Sequence, residues 1–322
     1  MLYFDDRRVA AALTRGALIE ALRVAFQSDA SAPLRSNHAL PQPDATLLLM
    51  PAWDSSPLFG VKLVTVFPQN VAAGRPAVNA CYVLFDAGTG VVRAIMDGHE
   101  LTLRRTGAAS ALASRFLSRP DSARLLMVGT GSLAPHLIES HCSVRPIEAV
   151  RVWGRTPPHA HRLAAQMAGH LTPALRRAIH IEAASDLREA VGWADIISCA
   201  TLAREPVIEG AWLHDGQHLD LVGAYKPGMR EADTAALMRA AVFVDMRASA
   251  SAESGEIVHA LQSGDMRPEH ILADLRDLSR GLHPGRTSAT QITLFKSVGH
   301  AIEDLAAAQL LLAPPPDADQ PP

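Results

Sequence analysis

The chain has 322 residues, of which 48% are hydrophobic and 20% are charged, and its formal net charge is −3. Because one hydrophobic core rarely serves so long a chain, two domains are expected. The slightly acidic balance excludes the positive electrostatic pattern that is typical of nucleic-acid-binding proteins.

Secretion, membrane insertion and metal binding are also disfavoured. The first residues, MLYFDDRRVAAAL, place two Asp and two Arg where a signal peptide needs a continuous apolar stretch. No run approaches the ~20 apolar residues of a membrane-spanning helix. Cys81, Cys142 and Cys199 are widely spaced and match no metal or disulfide pattern. We therefore expect a cytoplasmic protein that binds no metal.

The first part of the chain is predicted to combine helices with antiparallel strands. Leu18, Leu22 and Phe26 recur at four-residue spacing, which predicts an amphipathic helix from 14 to 27. Apolar or β-branched runs then predict strands at 46–51, 58–67, 80–85 and 91–96. The turn residues between the last two runs indicate a hairpin. An Ala-rich helix is predicted to follow, at 101–117.

The second part of the chain alternates short apolar strands with helical stretches. The strands are predicted at 124–128, 149–153, 179–183, 195–200, 218–222 and 241–245. Such alternation is typical of a parallel sheet that helices cover on both faces. A last helix is predicted from 291 to 312, before a Pro-rich tail at 313–322 that is predicted to be disordered.

These elements predict an α/β protein with two domains. Residues 119–290 are predicted to form a Rossmann-type domain, with a doubly wound parallel sheet that binds a dinucleotide. Residues 1–118 together with 291–322 are predicted to form a second, α+β domain.

A glycine motif follows the first strand of the alternating region. Residues 125–128 run into Gly129-Thr130-Gly131-Ser132-Leu133-Ala134, a GxGxxA pattern. In such a pattern Gly129 allows a tight turn, Gly131 lets a pyrophosphate approach the backbone, and Ala134 lets helix and strand pack closely. A glycine loop of purely structural role is the alternative, but the motif opens a series of alternating strands and helices. It therefore predicts a dinucleotide site.

The choice of dinucleotide depends on the end of the next strand. NAD sites usually carry an acidic residue there, which holds the ribose 2′-hydroxyl. This chain instead has Val152-Trp153-Gly154-Arg155-Thr156. Arg155 can pair with a 2′-phosphate and Thr156 can donate a hydrogen bond to it, although an ordinary surface arginine is the alternative. NADP(H) is therefore the predicted cofactor, with NAD(H) as the alternative.

Two basic positions are candidates for the chemistry. The 30 basic residues include three lysines (Lys62, Lys226 and Lys296), so 27 are arginine. Lys62 lies in an apolar strand, where its ammonium must either pair with a carboxylate or reach water from an edge strand. Arg105 lies near the start of a helix, where a cation opposes the helix dipole unless an anion binds there.

Together the motifs resemble the ornithine cyclodeaminase and mu-crystallin family. The matching segments run in order from about residue 35 to 305: Met50-Pro51, Gly60-Val61-Lys62, Phe67-Pro68-Gln69-Asn70, Asp97-Gly98, Leu101 to Ser110, Val128-Gly129-Thr130-Gly131, Trp153-Gly154-Arg155-Thr156, Val222-Gly223-Ala224, Arg230-Glu231-Ala232-Asp233, Phe295 to Gly299 and Ala301-Ile302-Glu303-Asp304.

The resemblance implies a homodimer and a set of residue roles. The α+β domain would bind the substrate and form the dimer. Arg35 and Arg105 would clamp a substrate carboxylate, and Lys62 would be the active-site lysine beside the reacting carbon. The positions that the resemblance places against the nucleotide are Thr106, Gly129, Gly131, Arg155, Thr156, Thr201 and Ser297, to which Ala134 and Val222 are added as cofactor-site candidates.

One position departs from the family pattern. In the cyclodeaminases the resemblance implies an aspartate shortly before the proline that corresponds to Pro227, where it handles the amine of the substrate side chain. Here the corresponding residue is Tyr225. A neutral phenol with a pKa of about 10 offers an ammonium no opposite charge. Glu253 and Glu256 are the alternatives for that role.

We therefore predict an NAD(P)H-dependent reductase of small cyclic imino acids such as pyrroline-2-carboxylate, with Tyr225 in the substrate site. The enzymatic alternatives are ornithine cyclodeaminase, which converts L-ornithine to L-proline and ammonia, and an open-chain amino-acid dehydrogenase. The alternative of another class is an NADPH-dependent protein that binds a small ligand without turnover.

Overall fold

The computed structural model describes residues 1–175 and 178–313. Two compact units make up the chain. The first contains residues 1–102 and the segment that begins at residue 301, and the second contains residues 103–300. Of the predicted disordered tail, residues 314–322 lie outside the described part of the chain.

The first unit is an α+β unit around one six-stranded sheet. Its strands are β1 (Leu2–Phe4), β2 (Ser36–Ala39), β3 (Thr46–Trp53), β4 (Leu58–Val66), β5 (Val78–Asp86) and β6 (Val92–Asp97). Its helices are α1 (Asp6–Ala12), α2 (Arg15–Gln27) and the last helix of the chain, α11 (Ala301–Leu312). The strand order is β1-β6-β5-β4-β3-β2, and only the β1–β6 pair is parallel.

The two faces of this sheet differ in burial because side chains alternate along each strand. On β4 the residues Lys62, Val64 and Val66 are buried, and their face is covered by α11, which contacts β3, β4 and β5. The opposite face carries Val61 and Leu63, which are only half-buried. The helical face that the sequence predicts for residues 14–27 is confirmed, since Leu18, Leu22 and Phe26 are all buried in α2.

The helix α3 (Gly98–Leu117) leads from the first unit into the second. The strands of the second unit are β7 (Arg124–Val128), β8 (Ala149–Trp153), β9 (His180–Ala183), β10 (Ile196–Cys199), β11 (His218–Leu221), β12 (Ala241–Val244), β13 (Ile271–Asp274) and β14 (Thr293–Lys296). Its other helices are α4 (Leu133–Val144), α5 (Pro157–Leu175), α6 (Leu187–Trp193), α7 (Thr234–Arg239), α8 (Arg247–Glu253), α9 (Gly255–Ser263) and α10 (Leu275–Ser279).

The eight strands form one parallel sheet in the order β13-β12-β14-β11-β10-β7-β8-β9. The strands run outward from β7 through β8 to β9 on one side and from β10 through β11 on the other, so the strand order, and not the strand direction, reverses between β7 and β10. This is the topological switch point of a doubly wound sheet, where ligands bind. The predicted Rossmann-type α/β fold with a second α+β domain is confirmed.

The predicted helix at 291–312 is wrong in its first part. Residues 293–296 form β14, and the helix begins only at Ala301. Ile292 and Thr293 are β-branched and favour a strand, and Gly299 adopts a φ of 81°, which interrupts any regular helix. The single helix predicted from Gln291 to Leu312 therefore joined a buried strand and a buried helix that are separate elements.

This difference matters for the boundaries between the units. The sequence places them after residues 118 and 290, whereas the compact units divide after residues 102 and 300. The later turns of α3 pack within the second unit, where a Cβ on Gly107 would lie 2.7 Å from the Ser140 Oγ. Strand β14 pairs with β11 and β12 inside the parallel sheet. The roles of the two units in substrate binding and dimer formation stay predictions.

No helix within residues 1–175 and 178–313 combines the length and the apolar character needed to cross a membrane.

A buried polar network lies within the second unit. Asp220 on β11 accepts hydrogen bonds from Ser198 (2.7 Å) and Ser110 (3.0 Å), and its other partner is the Nε2 of His141 at 3.1 Å. His218, on the same strand, lies with Nδ1 3.0 Å from the Thr293 Oγ1. Burial lowers the pKa of His218 to about 3. His218 is therefore neutral in the folded protein at every pH near neutrality.

We expect the protein to lose stability in acid because of His218. Below pH ~6.5 the unfolded chain binds a proton at this position that the folded chain excludes, so stability is complete above ~6.5 and falls towards pH 3. The slope approaches about 1.4 kcal/mol for each pH unit. In urea unfolding, His218→Gln should give a shallower dependence of the unfolding free energy on pH. The exposed His161→Gln should not, and equal slopes for all three proteins would contradict the assignment.

Candidate functional site

The first unit holds the predicted catalytic lysine in a buried ion pair. Lys62 lies on β4, with β3 and β5 on either side, and is 2% exposed. Its Nζ lies 2.9 Å from Oδ1 and 2.8 Å from Oδ2 of Asp304 on α11, a carboxylate that is itself fully buried. The edge-strand alternative for Lys62 is therefore wrong, and the predicted need for a pairing partner is met by Asp304.

The neighbours of Lys62 on the sheet keep this pair away from water. Met50 on β3 and Tyr82 on β5 are its partners in register, and both are buried. Burial, with the nearby charges of Asp304 and Asp54 acting in the same direction, raises the pKa of Tyr82 well above its usual value. Tyr82 is therefore a neutral phenol. A Cβ on Gly60 would lie 2.4 Å from the Tyr82 hydroxyl oxygen, so the glycine makes room for this ring.

The two predicted clamp residues, Arg35 and Arg105, belong to different units. Arg35 is half-buried and directly precedes β2 in the first unit. Arg105 lies on α3 in the second unit and is buried. A Cβ on Gly299 would lie 2.8 and 2.9 Å from its guanidinium nitrogens, so the glycine allows the guanidinium to lie against the backbone. The joint role of the two arginines stays a prediction.

The second unit contains a cavity of about 780 Å³ at the switch point of the sheet. Its walls come from the segments that follow three neighbouring strands: residues 129–131 after β7, residues 153–156 after β8 and residues 200–207 after β10. Five of the predicted cofactor residues line it: Gly129, Gly131, Arg155, Thr156 and Thr201.

The glycines of this cavity meet the requirements of a pyrophosphate site. Gly129 has a φ of 120°, and a Cβ there would lie 2.5 Å from the carbonyl oxygen of Ala200. A Cβ on Gly131 would meet nothing within 4 Å, so its backbone is open to a ligand. The helix α4 begins two residues later, and the first turn of a helix is a favourable position for an anion because backbone N–H groups point out of it. The residues present therefore fit a dinucleotide.

The other four predicted cofactor residues are buried and do not line the cavity. Ala134 lies in the first turn of α4 within the hydrophobic core, which is the close packing of helix on strand that the motif predicts. Val222 follows β11, and Thr106 lies on α3. Ser297 donates a hydrogen bond to the Asp245 Oδ2 at 3.1 Å. The predicted contacts of these four with a nucleotide stay predictions.

Tyr225 lies in the segment between β11 and α7 and is half-buried. The Nζ of the neighbouring Lys226 lies 5.6 Å from the centre of its ring. Glu256, one of the proposed substitutes for the missing aspartate, is buried, and its carboxylate faces Ser254, Lys296 and the backbone N–H of Glu231. It is therefore not available to a substrate amine.

A family model described as "Ornithine cyclodeaminase/mu-crystallin family" matches residues 6–313. The chain belongs to this family.

Relatives within the ornithine cyclodeaminase/mu-crystallin family cover nearly the whole chain. It is 41% identical to a Δ1-pyrroline-2-carboxylate reductase of Paracoccus denitrificans, over 88% of this chain and 91% of the relative. The structure of the Thermococcus litoralis Δ1-pyrroline-2-carboxylate reductase, in complex with NADH and L-proline, is 33% identical with a TM-score of 0.89, covering 97% of this chain and 96% of that one. An archaeal alanine dehydrogenase dimer with bound NAD is 28% identical with a TM-score of 0.88, covering 97% and 94%.

Two buried charged residues had no predicted role, Asp304 in the first unit and Lys296 in the second. Asp304 stands in one of the family-like segments, but a carboxylate on the last helix has no sequence signal that links it to Lys62. The structure also shows Lys296 fully buried at the end of β14. The sequence does contain an indication that Lys296 has a specific role. In an arginine-rich chain, a lysine inside the apolar segment Thr293-Leu294-Phe295-Lys296 is as unusual as Lys62.

We expect Asp304→Asn to destabilise the protein by about 3 kcal/mol, because it leaves the Lys62 ammonium buried without its charged partner. Urea unfolding at neutral pH measures the change. Asp54→Asn is the matched control, since Asp54 lies in the same unit and accepts hydrogen bonds from the neutral amide of Gln309. If the two variants lose the same stability, the charge of Asp304 is not what stabilises the buried lysine.

Proposed function

We propose that this protein is an NAD(P)H-dependent reductase of small cyclic imino acids, with Δ1-pyrroline-2-carboxylate as the first substrate to test. The observation that carries the proposal is the glycine-lined cavity at the switch point, in a chain that is 41% identical to a reductase of that imino acid. A reduced nicotinamide bound there supplies a hydride to the imine carbon.

Within this proposal, Lys62 provides a positive charge near the substrate carboxylate and a proton for the amine that hydride transfer produces. Hydride addition to a C=N bond leaves an amine that needs one proton for each hydride, and a carboxylate on the substrate needs a counter-charge. Lys62 supports both tasks because the adjacent Asp304 carboxylate supplies the opposite charge that favours a buried ammonium. The lysine, or a water that it orders, donates the proton to the imine nitrogen. Arg35 and Arg105 are proposed to hold the substrate carboxylate.

The proposal favours net reduction over ornithine cyclodeamination. Cyclodeamination needs a partner for a second, side-chain ammonium. Tyr225 offers a phenol at the position where the family pattern has an aspartate, and the carboxylate of Glu256 is already engaged with Lys296. A cyclic imine carries no such second amine, so these residues are compatible with its reduction.

NADPH is the proposed donor. The end of β8 carries no carboxylate that would repel a 2′-phosphate, and the exposed side chains of Arg155 and Thr156 line the cavity there. His159, in the first turn of α5, lines the same part of the wall. A guanidinium and a hydroxyl at this position favour a phosphate over a ribose hydroxyl.

A homodimer is also proposed, through the half-buried face of the six-stranded sheet. This open face consists of Leu49, Pro51, Phe59, Val61, Leu63, Val83, Phe85 and Ile95. Phe59 and Phe85 stack on it with their ring centres 5.0 Å apart. A contiguous apolar surface of this kind is typical of protein–protein interfaces, and the alanine dehydrogenase to which the chain is similar is a dimer.

The test of the function is NADPH oxidation with Δ1-pyrroline-2-carboxylate, beside ammonia release from L-ornithine. Oxidation that depends on the imine, without ammonia release, supports the reductase. Ammonia release from ornithine would show a cyclodeaminase, and oxidation only with an open-chain oxo acid and ammonia would show an amino-acid dehydrogenase. Binding of NADPH without turnover of any imine would show a binding protein.

Replacing Lys62 should abolish turnover and leave dinucleotide binding intact. We expect Lys62→Met combined with Asp304→Asn to reduce kcat by about a thousandfold, the usual range for loss of a proton donor. The double change avoids an unpaired buried carboxylate, and Asp304→Asn alone is the control for the loss of the ion pair. Turnover near that of the control would refute the role of the lysine.

Arg155→Ala should raise the Kd for NADPH by about 10- to 100-fold, because one charge-assisted contact to the 2′-phosphate is lost, and should change the Kd for NADH little. Titration with both dinucleotides measures the difference. Arg162→Ala is the matched control, since Arg162 is an exposed arginine on α5, the helix that begins shortly after Arg155, and does not line the cavity. An equal loss for both dinucleotides would contradict the phosphate contact.

Val83→Asp should convert the dimer into a monomer, because it places a charge in the middle of the open face. Light scattering after size-exclusion chromatography measures the mass. Val91→Asp, at an exposed position in the hairpin turn, should leave the mass unchanged. A dimer that tolerates Val83→Asp would place its interface elsewhere.

A further inference from the structure

Glu231 makes a set of hydrogen bonds that neither the sequence patterns nor the proposed reaction explains. Its side chain is fully buried. One carboxylate oxygen accepts from the backbone N–H of Thr201 at 2.7 Å and from the Thr201 hydroxyl at 3.0 Å. The other accepts from the backbone N–H groups of Gly223 at 2.7 Å and Ala224 at 3.2 Å. Four donors use the full capacity of an ionised carboxylate.

A lysine and a second glutamate stand behind this carboxylate. The Lys296 Nζ lies 3.8 Å from the Glu231 Oε2 and 3.2 Å from the Glu256 Oε2, and both of these side chains are buried. Glu256 also accepts from the backbone N–H of Glu231 at 2.7 Å. Burial raises the pKa of Glu231 to about 7, and Lys296 opposes that shift. The lysine therefore favours the ionised form that the four donors require.

The four donors belong to two separate segments at the carboxyl edge of the parallel sheet. Thr201 opens the segment after β10 and lines the dinucleotide cavity. Gly223 and Ala224 open the segment after β11, which carries Tyr225. The two segments lie in close contact, since a Cβ on Gly223 would lie 2.0 Å from the carbonyl oxygen of Thr201. One carboxylate thus joins the cavity wall to the segment of Tyr225.

Glu231 also connects the far ends of these two segments. The carbonyl oxygen of Glu231 accepts from the N–H groups of Val207 and Ile208, each at 2.9 Å, so its backbone closes the segment that began at Thr201. Glu231 itself ends the segment that began at Gly223. Its side chain therefore bonds to the starts of the two segments and its main chain holds both ends.

We propose that Glu231 is a positioning residue, which Lys296 and Glu256 hold in place, and that it sets the geometry of the dinucleotide cavity and of the Tyr225 segment together. The inference rests on the proposed function, because the dinucleotide is the ligand whose binding reports it. It predicts that loss of the carboxylate weakens cofactor binding although Glu231 does not line the cavity.

The geometry also fixes what Thr201 offers a ligand. Its hydroxyl hydrogen points to Glu231, so towards the cavity its oxygen is an acceptor. An acceptor binds the donors of a nicotinamide carboxamide or a ribose hydroxyl and disfavours a phosphate oxygen. Thr201→Ser keeps this arrangement, whereas Thr201→Val removes it.

The test compares dinucleotide Kd values, by titration, for Glu231→Gln, Glu231→Asp, Thr201→Val and Thr201→Ser. In Glu231→Gln an amide NH₂ faces backbone N–H donors, and we expect the Kd to rise at least about tenfold, with a rise in the KM for the imine. Glu231→Asp, which keeps the charge, should recover part of the loss. Glu189→Gln, at an exposed position in the same unit, should bind as the unsubstituted protein does.

A double-mutant cycle separates positioning from stability. If Glu231 acts through Thr201, the combination of Glu231→Gln and Thr201→Val should weaken binding by less than the product of the two single effects. A lower Tm with an unchanged Kd in Glu231→Gln would overturn the proposal. If Glu231→Gln does not fold, equal Kd values for Thr201→Val and Thr201→Ser would overturn it. Failure of the unsubstituted protein to bind any dinucleotide would refute the proposed function instead.

Discussion

The ion pair of Lys62 and Asp304 ties the last helix of the chain to the middle of the six-stranded sheet. Because an ammonium in an apolar sheet is costly without a partner, α11 must lie where its carboxylate reaches β4. The segment that begins at residue 301 therefore belongs to the first unit, although nearly two hundred residues of another unit intervene. A charge that is proposed to serve the reaction is thus also a contact on which the fold depends.

Two further groups of buried charged and polar side chains lie in the second unit. Lys296 lies between Glu231 and Glu256, and Asp220 is surrounded by Ser110, Ser198 and His141. Each group joins a strand of the parallel sheet to residues of other elements that are far apart in the chain. Such networks are costly when one member is lost, so they favour one arrangement of the strands and of the segments that follow them. One of those segments, residues 200–207 after β10, lines the dinucleotide cavity.

The charges also explain two of the three lysines in a chain so rich in arginine. Lys62 and Lys296 are buried in strands and meet carboxylates at single points, where a compact ammonium fits and a planar guanidinium would need more room. Lys226 is exposed beside Tyr225. In contrast, arginine occupies Arg35, Arg105 and Arg155, the positions proposed to bind a carboxylate or a phosphate, where a forked donor is suited to the anion.

The sequence by itself determined the parallel sheet, the glycine motif and the family. These depend on the alternation of apolar strands with helices and on short motifs that can be recognised without knowledge of the fold. It placed the strands from β7 to β12 within one or two residues. It did not reveal that residues 293–296 form a strand in the middle of that sheet, since a short apolar run next to a helix has no period of its own. Only the tertiary structure decided which carboxylate pairs with each lysine. Asp304, Glu231 and Glu256 meet their lysines across 242, 65 and 40 residues of chain. Such pairing depends on the packing of helices and strands, which no local pattern encodes.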